Sequence, residues 1–202
     1  QILEVEGVKA ASFVIEGQAL ARCEKREVAV AVRGVDENYF DVLPISGSIS
    51  QGSSELVVGE SSRALITRDV AQLLSIYTTA GTNITLYAIA GSPIGSILPF
   101  RGIKSERVAV AGILQSSQQT KGAMTTPLHI AEKLFGEGKT KIYLSCIDSA
   151  EKVKARLQTA LAEDVKITTR AEKNYSRWVP TGALFEGYLC ERDCSFRALA
   201  AL

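Results

Sequence analysis

Between Ala10 and Val35 the chain alternates, with Val28, Val30 and Val32 separated by Ala29, Ala31 and Arg33. A period of two marks a strand with one buried face, and the charged run Glu24-Lys25-Arg26-Glu27 belongs in water. The stretch therefore predicts a long β-hairpin that turns at the charged run. Gly34-Val35-Asp36 ends the second strand, and Glu37 to Val42 predicts a short turn of helix before Pro44.

From 46 to 62 the alternation breaks. Ser46-Gly47-Ser48, Gln51-Gly52-Ser53-Ser54 and Gly59-Glu60-Ser61-Ser62 punctuate short apolar runs such as Leu56-Val57-Val58, which predicts loops and short strands. Ala64-Leu65-Ile66 predicts a buried strand, and Thr67 an N-cap for a helix whose inner face carries Val70, Ala71 and Leu74. Gly81 stops that unit. Asn83 to Ala90 alternates again, with Ile84, Leu86 and Ala88 facing one way and Thr85 and Tyr87 the other. A loop is expected from Gly91 to Arg107. Val108 to Leu114 then returns as a strand, and Gly112 inside it signals a bulge or a close backbone approach.

After a polar stretch from Ser116 to Thr125, Thr126-Pro127 reads as a helix start, an N-cap followed by proline at the first helical position. The helix would turn Ile130, Ala131 and Leu134 inward, leave His129 solvated on another face, and end at Gly136. Lys141 to Ile147 predicts a strand with Ile142, Leu144 and Cys146 on one face. Asp148-Ser149-Ala150-Glu151 has the form of a capping box, and Val153, Leu157, Ala160 and Leu161 recur at helical spacing. With Val165 to Thr169 as the returning strand, residues 140–169 predict a β-α-β unit. Asn174 to Leu202 is expected to be largely helical, with Trp178, Leu184, Phe185 and Leu189 at its apolar positions and Trp178 as a core anchor.

Composition narrows the function classes. The chain has 202 residues, enough for one fair-sized domain or two small ones. Lys plus Arg total 23 against 22 Asp plus Glu, so a net charge of +1 gives no electrostatic reason to expect nucleic acid or an anionic membrane surface. No apolar run reaches the ~20 residues that cross a bilayer. A start at Gln1-Ile2-Leu3-Glu4, without Met or a charged leader, is what a piece of a longer protein would show.

Candidate chemistry is thin. Cys23, Cys146, Cys190 and Cys194 are too few and too scattered for a disulfide framework. Cys190 and Cys194 would share a helix face, as small packing residues rather than as a metal or redox pair. A Ser-His-Asp or Cys-His arrangement would have to use His129, the single histidine. No Cys/His spacing fits zinc, and Gly91-Ser92-Pro93-Ile94-Gly95 lacks the Gly-Lys-Ser/Thr of a phosphate loop. No catalytic residue, metal or cofactor is expected. A secreted hydrolase or thiol enzyme using His129, Cys190 or Cys194 is the alternative from another class.

The loop stands out instead. It carries Ile94, Ile97, Leu98 and Phe100 among Gly91, Gly95, Gly102, Pro93 and Pro99, with Arg101 and Lys104 alongside. A loop that only connects two strands is usually shorter and more polar. Its apolar side chains either fold back over their own lobe or form an exposed tip. The second reading is favoured, with Ile94, Ile97, Leu98, Pro99, Phe100, Arg101 and Lys104 as a partner-binding surface.

The order of elements resembles the extracytoplasmic domain of the lipoprotein-releasing ABC permeases, relatives of the macrolide-exporter and cell-division permeases. The resemblance is carried by Glu6-Gly7-Val8, Val32-Arg33-Gly34-Val35-Asp36 and Ala64-Leu65-Ile66-Thr67, then by Ala80-Gly81-Thr82 with Ile84-Thr85-Leu86. Val108-Ala109-Val110-Ala111-Gly112-Ile113-Leu114 and Trp178, Leu184-Phe185 and Glu191-Arg192 complete it. It implies an α+β domain in two lobes: a mixed α/β lobe from both chain ends, 1–45 and 128–190, and an inserted, mainly β lobe, 46–127. In that arrangement Lys141–Ile147 would share a sheet and a lobe with Val28–Val35, and 191–202 would lead into a membrane helix. The implied function is the periplasmic binding and coupling domain of a permease in the bacterial inner membrane, in lipoprotein release to a periplasmic carrier. An efflux or cell-division permease is the alternative within the family. The implied partners are a second permease subunit, a cytoplasmic ATPase, and a carrier protein or lipoprotein, the carrier being gripped by a hook after the strand Ile84–Ala90.

Overall fold

The structure is a computed structural model of the chain, and it describes residue 2 and residues 5–89, 102–115, 121–136, 140–160, 166–169 and 189–194. Its elements in chain order are β1 (Val8–Cys23), β2 (Arg26–Val35), α1 (Tyr39–Val42), β3 (Ile49–Gly52), β4 (Val57–Val58), β5 (Ser61–Thr67), α2 (Arg68–Leu73), β6 (Asn83–Ile89), β7 (Ile103–Leu114), β8 (Ala123–Pro127), α3 (Leu128–Phe135), β9 (Thr140–Cys146), α4 (Ala150–Ala160), β10 (Lys166–Thr169) and β11 (Leu189–Cys194). The architecture is α+β, as the sequence predicts. Two compact units emerge: residues 1–14, 36–44 and 139–202, and residues 15–35 and 45–138. The boundaries implied by the resemblance differ from these in grouping 15–35 and 128–138 with the chain ends.

In the first unit, β11 lies between β9 and β10 and runs antiparallel to both, Cys190 standing opposite Leu144 on one side and Thr169 on the other. One expectation is corrected here: Leu189–Cys194 is a strand, not part of a helix. The expected β-α-β unit is present as β9-α4-β10, with β11 in the gap between its two strands. Ile142, Leu144, Val153, Leu157 and Ile167 form the core beneath α4, with Ile2, Val5 and Val8 packed against it. Tyr143 is also buried and meets the ring of Tyr39, so β9 is covered on both faces. Asp148 does not serve only as a helix-start residue: Arg156 donates to its carboxylate at 3.0 Å and to the Glu6 carbonyl at 2.9 Å.

In the second unit β5 is central, parallel to β7 and antiparallel to β8, while β8 runs parallel to β2 and β3 closes the edge beside β7. Ala64, Leu65 and Ile66 are fully buried, and burial of a Leu or Ile side chain contributes about 1.5–3 kcal/mol. Val70, Ala71 and Leu74 of the α2 region and Ile130, Ala131 and Leu134 of α3 are buried in this unit. Gly112 has no room for a side chain, because a Cβ there would lie 2.7 Å from the Ser53 carbonyl, and the β5–β7 register slips by one residue at the same place. Both readings of that glycine, bulge and close approach, hold. Thr67 is the N-cap of α2, yet its hydroxyl donates to the Ala123 carbonyl at 3.1 Å instead of capping. Likewise Pro127, not Thr126, takes the N-cap position of α3, and both residues end β8.

Strand β1 runs through both units, with β9 as its neighbour in the first and β2 in the second. The sheet expected to join Lys141–Ile147 with Val28–Val35 is present, with β1 as the shared neighbour of β9 and β2, whereas the expected common lobe is corrected, since β9 falls in the first unit and β2 in the second. Among the described residues no helix is long and apolar enough to cross a membrane.

Candidate partner-binding site

The second unit carries a ribbon of three strands built on alternation. Ile84, Leu86 and Ala88 of β6 are buried, as their period predicts, which leaves Thr85 and Tyr87 on the outer face. β6 pairs with β1 through Leu20↔Tyr87 and Arg22↔Thr85, and with β7 from Asn83↔Ala109 to Ile89↔Ile103. Residues directly opposite across an antiparallel ladder share a face. The outer face thus has one row of Arg22, Thr85 and Arg107 and a second of Leu20, Tyr87 and Ser105. Leu20 is 39% exposed and Ile103, at the far end of the ladder, 72%.

The connection carrying the expected binding residues joins β6 to β7 at that far end. Ile94, Ile97, Leu98, Pro99, Phe100 and Arg101 lie outside the described residues, while Lys104 is exposed on β7 opposite Ala88. The loop is shorter than the expected 91–107, because Ile103 to Arg107 already belongs to β7. Lys104 and Glu106 share the ladder face that holds Leu86, and Lys133 of α3 reaches Glu106 at 3.8 Å.

The outer row of two arginines was not foreseen, because it exists only once β1, β6 and β7 are in register. Arg22 approaches Glu27 at 3.7 Å and donates to the Glu24 carbonyl at 3.3 Å. An open cavity of about 440 Å³ lies at this end of the ribbon, bounded by Arg22, Glu24, Asn83, Thr85, Tyr87 and Arg107.

The groups weighed for chemistry are separated. His129 is exposed, as expected at the start of the helix, and its Nε2 shares a hydrogen bond of 2.8 Å with the Ser62 hydroxyl. Burial pushes the Cys23 and Cys146 thiols above their ordinary range, with smaller contributions from the Glu24 and Asp148 carboxylates. Cys190 and Cys194 lie on β11 in the first unit, and His129 lies on α3 in the second. Among the described residues there is no cluster of three or more His, Cys, Asp or Glu that could hold a metal ion.

Residues 1–160 match the family model of the MacB-like periplasmic core domain. The chain belongs to that family. This core domain is the periplasmic part of an ABC transporter permease, in a family of permease domains rather than enzymes. Its fold is that of the periplasmic region of MacB from Actinobacillus actinomycetemcomitans, at 12% identity over 79% of this chain and 69% of that one, with a TM-score of 0.52. The extracellular domain of the noncanonical ABC-type transporter YknZ from Gram-positive bacteria is similar over 77% of this chain and 73% of that one, at 17% identity and a TM-score of 0.49. No curated protein matches the chain.

Proposed function

We propose that this core domain serves lipoprotein release, docking a periplasmic carrier on the connection between β6 and β7 and coupling that docking to its permease. The supporting observation is the β6–β7 ladder. It stays paired to Ile89↔Ile103, so both ends of the connection leave one anchored point, beside an exposed Ile103. From that point the sequence supplies Ile94, Ile97, Leu98, Pro99, Phe100 and Arg101, an apolar anchor with an adjacent arginine. Prolines in such a segment lower the ordering cost on binding. A second permease subunit completes the transport path, and ATP hydrolysis belongs to a separate cytoplasmic subunit.

The family match and the fold shared with MacB also favour a second reading, an efflux permease whose core domain meets a different periplasmic partner. Photocrosslinking from position 98 or 100 of the full-length permease in cells separates the two. Cross-links to a lipoprotein carrier support the first reading. Cross-links to an efflux adaptor support the second, and none to any periplasmic protein dismisses the docking role.

A further inference from the structure

The outer row of the ribbon places two guanidinium groups on one face with a threonine between them. Arg22 and Arg107 both stand opposite Thr85, from β1 and β7 respectively. Strands in a sheet are ~4.8 Å apart, so the two arginine backbones are separated by roughly 10 Å, a span that two long side chains can close around one group. Like charges brought to one face repel, and the middle strand contributes no carboxylate to offset them. Arg22 has a long contact with Glu27 and a 3.3 Å hydrogen bond to the Glu24 carbonyl, and among the described residues nothing pairs with the Arg107 side chain. Besides the Cys23 thiol, the Thr85 hydroxyl and the Tyr87 phenol, the cavity is lined by the Thr82 hydroxyl and the Asn83 amide, which donate to the Thr78 and Gly81 carbonyls, while Glu24 is the one acid on its wall.

We propose that this cavity is an oxyanion site, in which Arg22 and Arg107 hold a carboxylate or phosphate group against Thr85. Guanidinium groups suit that role because they present planar, paired donors to such anions. The site lies at the opposite end of the ribbon from the β6–β7 connection, and it does not depend on what that connection binds.

The test is an amide NMR titration of the 202-residue chain with inorganic phosphate and, separately, with a short oligoglutamate peptide, each against sodium chloride at matched ionic strength. The expected result is saturable shifts at Thr85, Tyr87 and Arg107 with at least one probe, and affinity for it about tenfold weaker in Arg107→Gln. Lys9→Gln, an exposed cation of the first unit, should leave affinity unchanged. Response to phosphate alone names a phosphate-bearing ligand, and response to the peptide names an acidic protein segment. Shifts no larger than those with sodium chloride, or equal weakening in Arg107→Gln and Lys9→Gln, would overturn the site.

Discussion

Gly34 of β2 lies against the methyl group of Ala131 on α3, with no space for a side chain between them. The ring of Phe135 sits in the same way over Gly17 of β1. Two adjacent strands thus omit a side chain where one helix comes down, and the core of the second unit closes as a result.

Gly34→Ala is therefore expected to destabilise the domain by about 1–3 kcal/mol, the usual cost of overpacking. Adding Ala131→Gly should recover part of that loss even though glycine in a helix itself costs ~1 kcal/mol. Urea unfolding of the two single variants and the double variant reads the coupling directly.

The thiols give a pH prediction with a definite sign. Burial raises the Cys146 pKa in the folded chain, and the Asp148 carboxylate raises it further. The fold therefore holds that proton more tightly than the unfolded chain. Its stabilising effect is complete below the ordinary thiol pKa and disappears as pH rises through the raised one. With Cys23, Cys190 and Cys194 replaced by serine, iodoacetamide should modify Cys146 slowly at neutral pH. Asp148→Asn should move the pH-rate profile to lower pH.

Much of the fold could be read from local pattern, because one buried face imposes a period of two. Val30, Val32, Ile84, Leu86, Ile142 and Leu144 are all buried where alternation puts them. Tyr143 escapes the pattern because an aromatic with a polar tip reads as outward-facing in an alternating run, yet it is buried and meets the ring of Tyr39. Leu189–Cys194 departs from its pattern for a stronger reason. Glu191, Arg192 and Asp193 do not look like an inner strand, but hydrogen bonding to β9 and β10 overrides local preference. The apolar connection after β6 is legible as composition, whereas the Arg22–Thr85–Arg107 row needs three strands distant in sequence to align.

Arg156 ties the start of the chain to the first unit through the Glu6 carbonyl and Asp148, and it is only partly exposed. Arg156→Ala should cost about 0.5–1.5 kcal/mol. It should also speed amide exchange at Ile147, whose N–H donates to the Gly7 carbonyl at 2.8 Å. Exchange at Ile66, deep in the second unit, should not change.

His129→Ala removes one hydrogen bond to Ser62 and, on this account, nothing functional. The loss should stay near ~1 kcal/mol, with partner capture by the full-length permease unchanged. Failed capture in a folded His129→Ala protein would revive a catalytic or switching role for the Ser62–His129 pair.

The docking role of the β6–β7 connection is tested most directly by measuring partner capture and melting temperature together for Phe100→Ala and Arg101→Glu. Truncating a binding anchor costs ~2 kcal/mol or more of affinity, so capture of the periplasmic partner should weaken about thirtyfold or more while the melting temperature stays unchanged. If Phe100→Ala instead lowers the melting temperature and leaves capture intact, the connection covers its own unit, and the docking account is wrong.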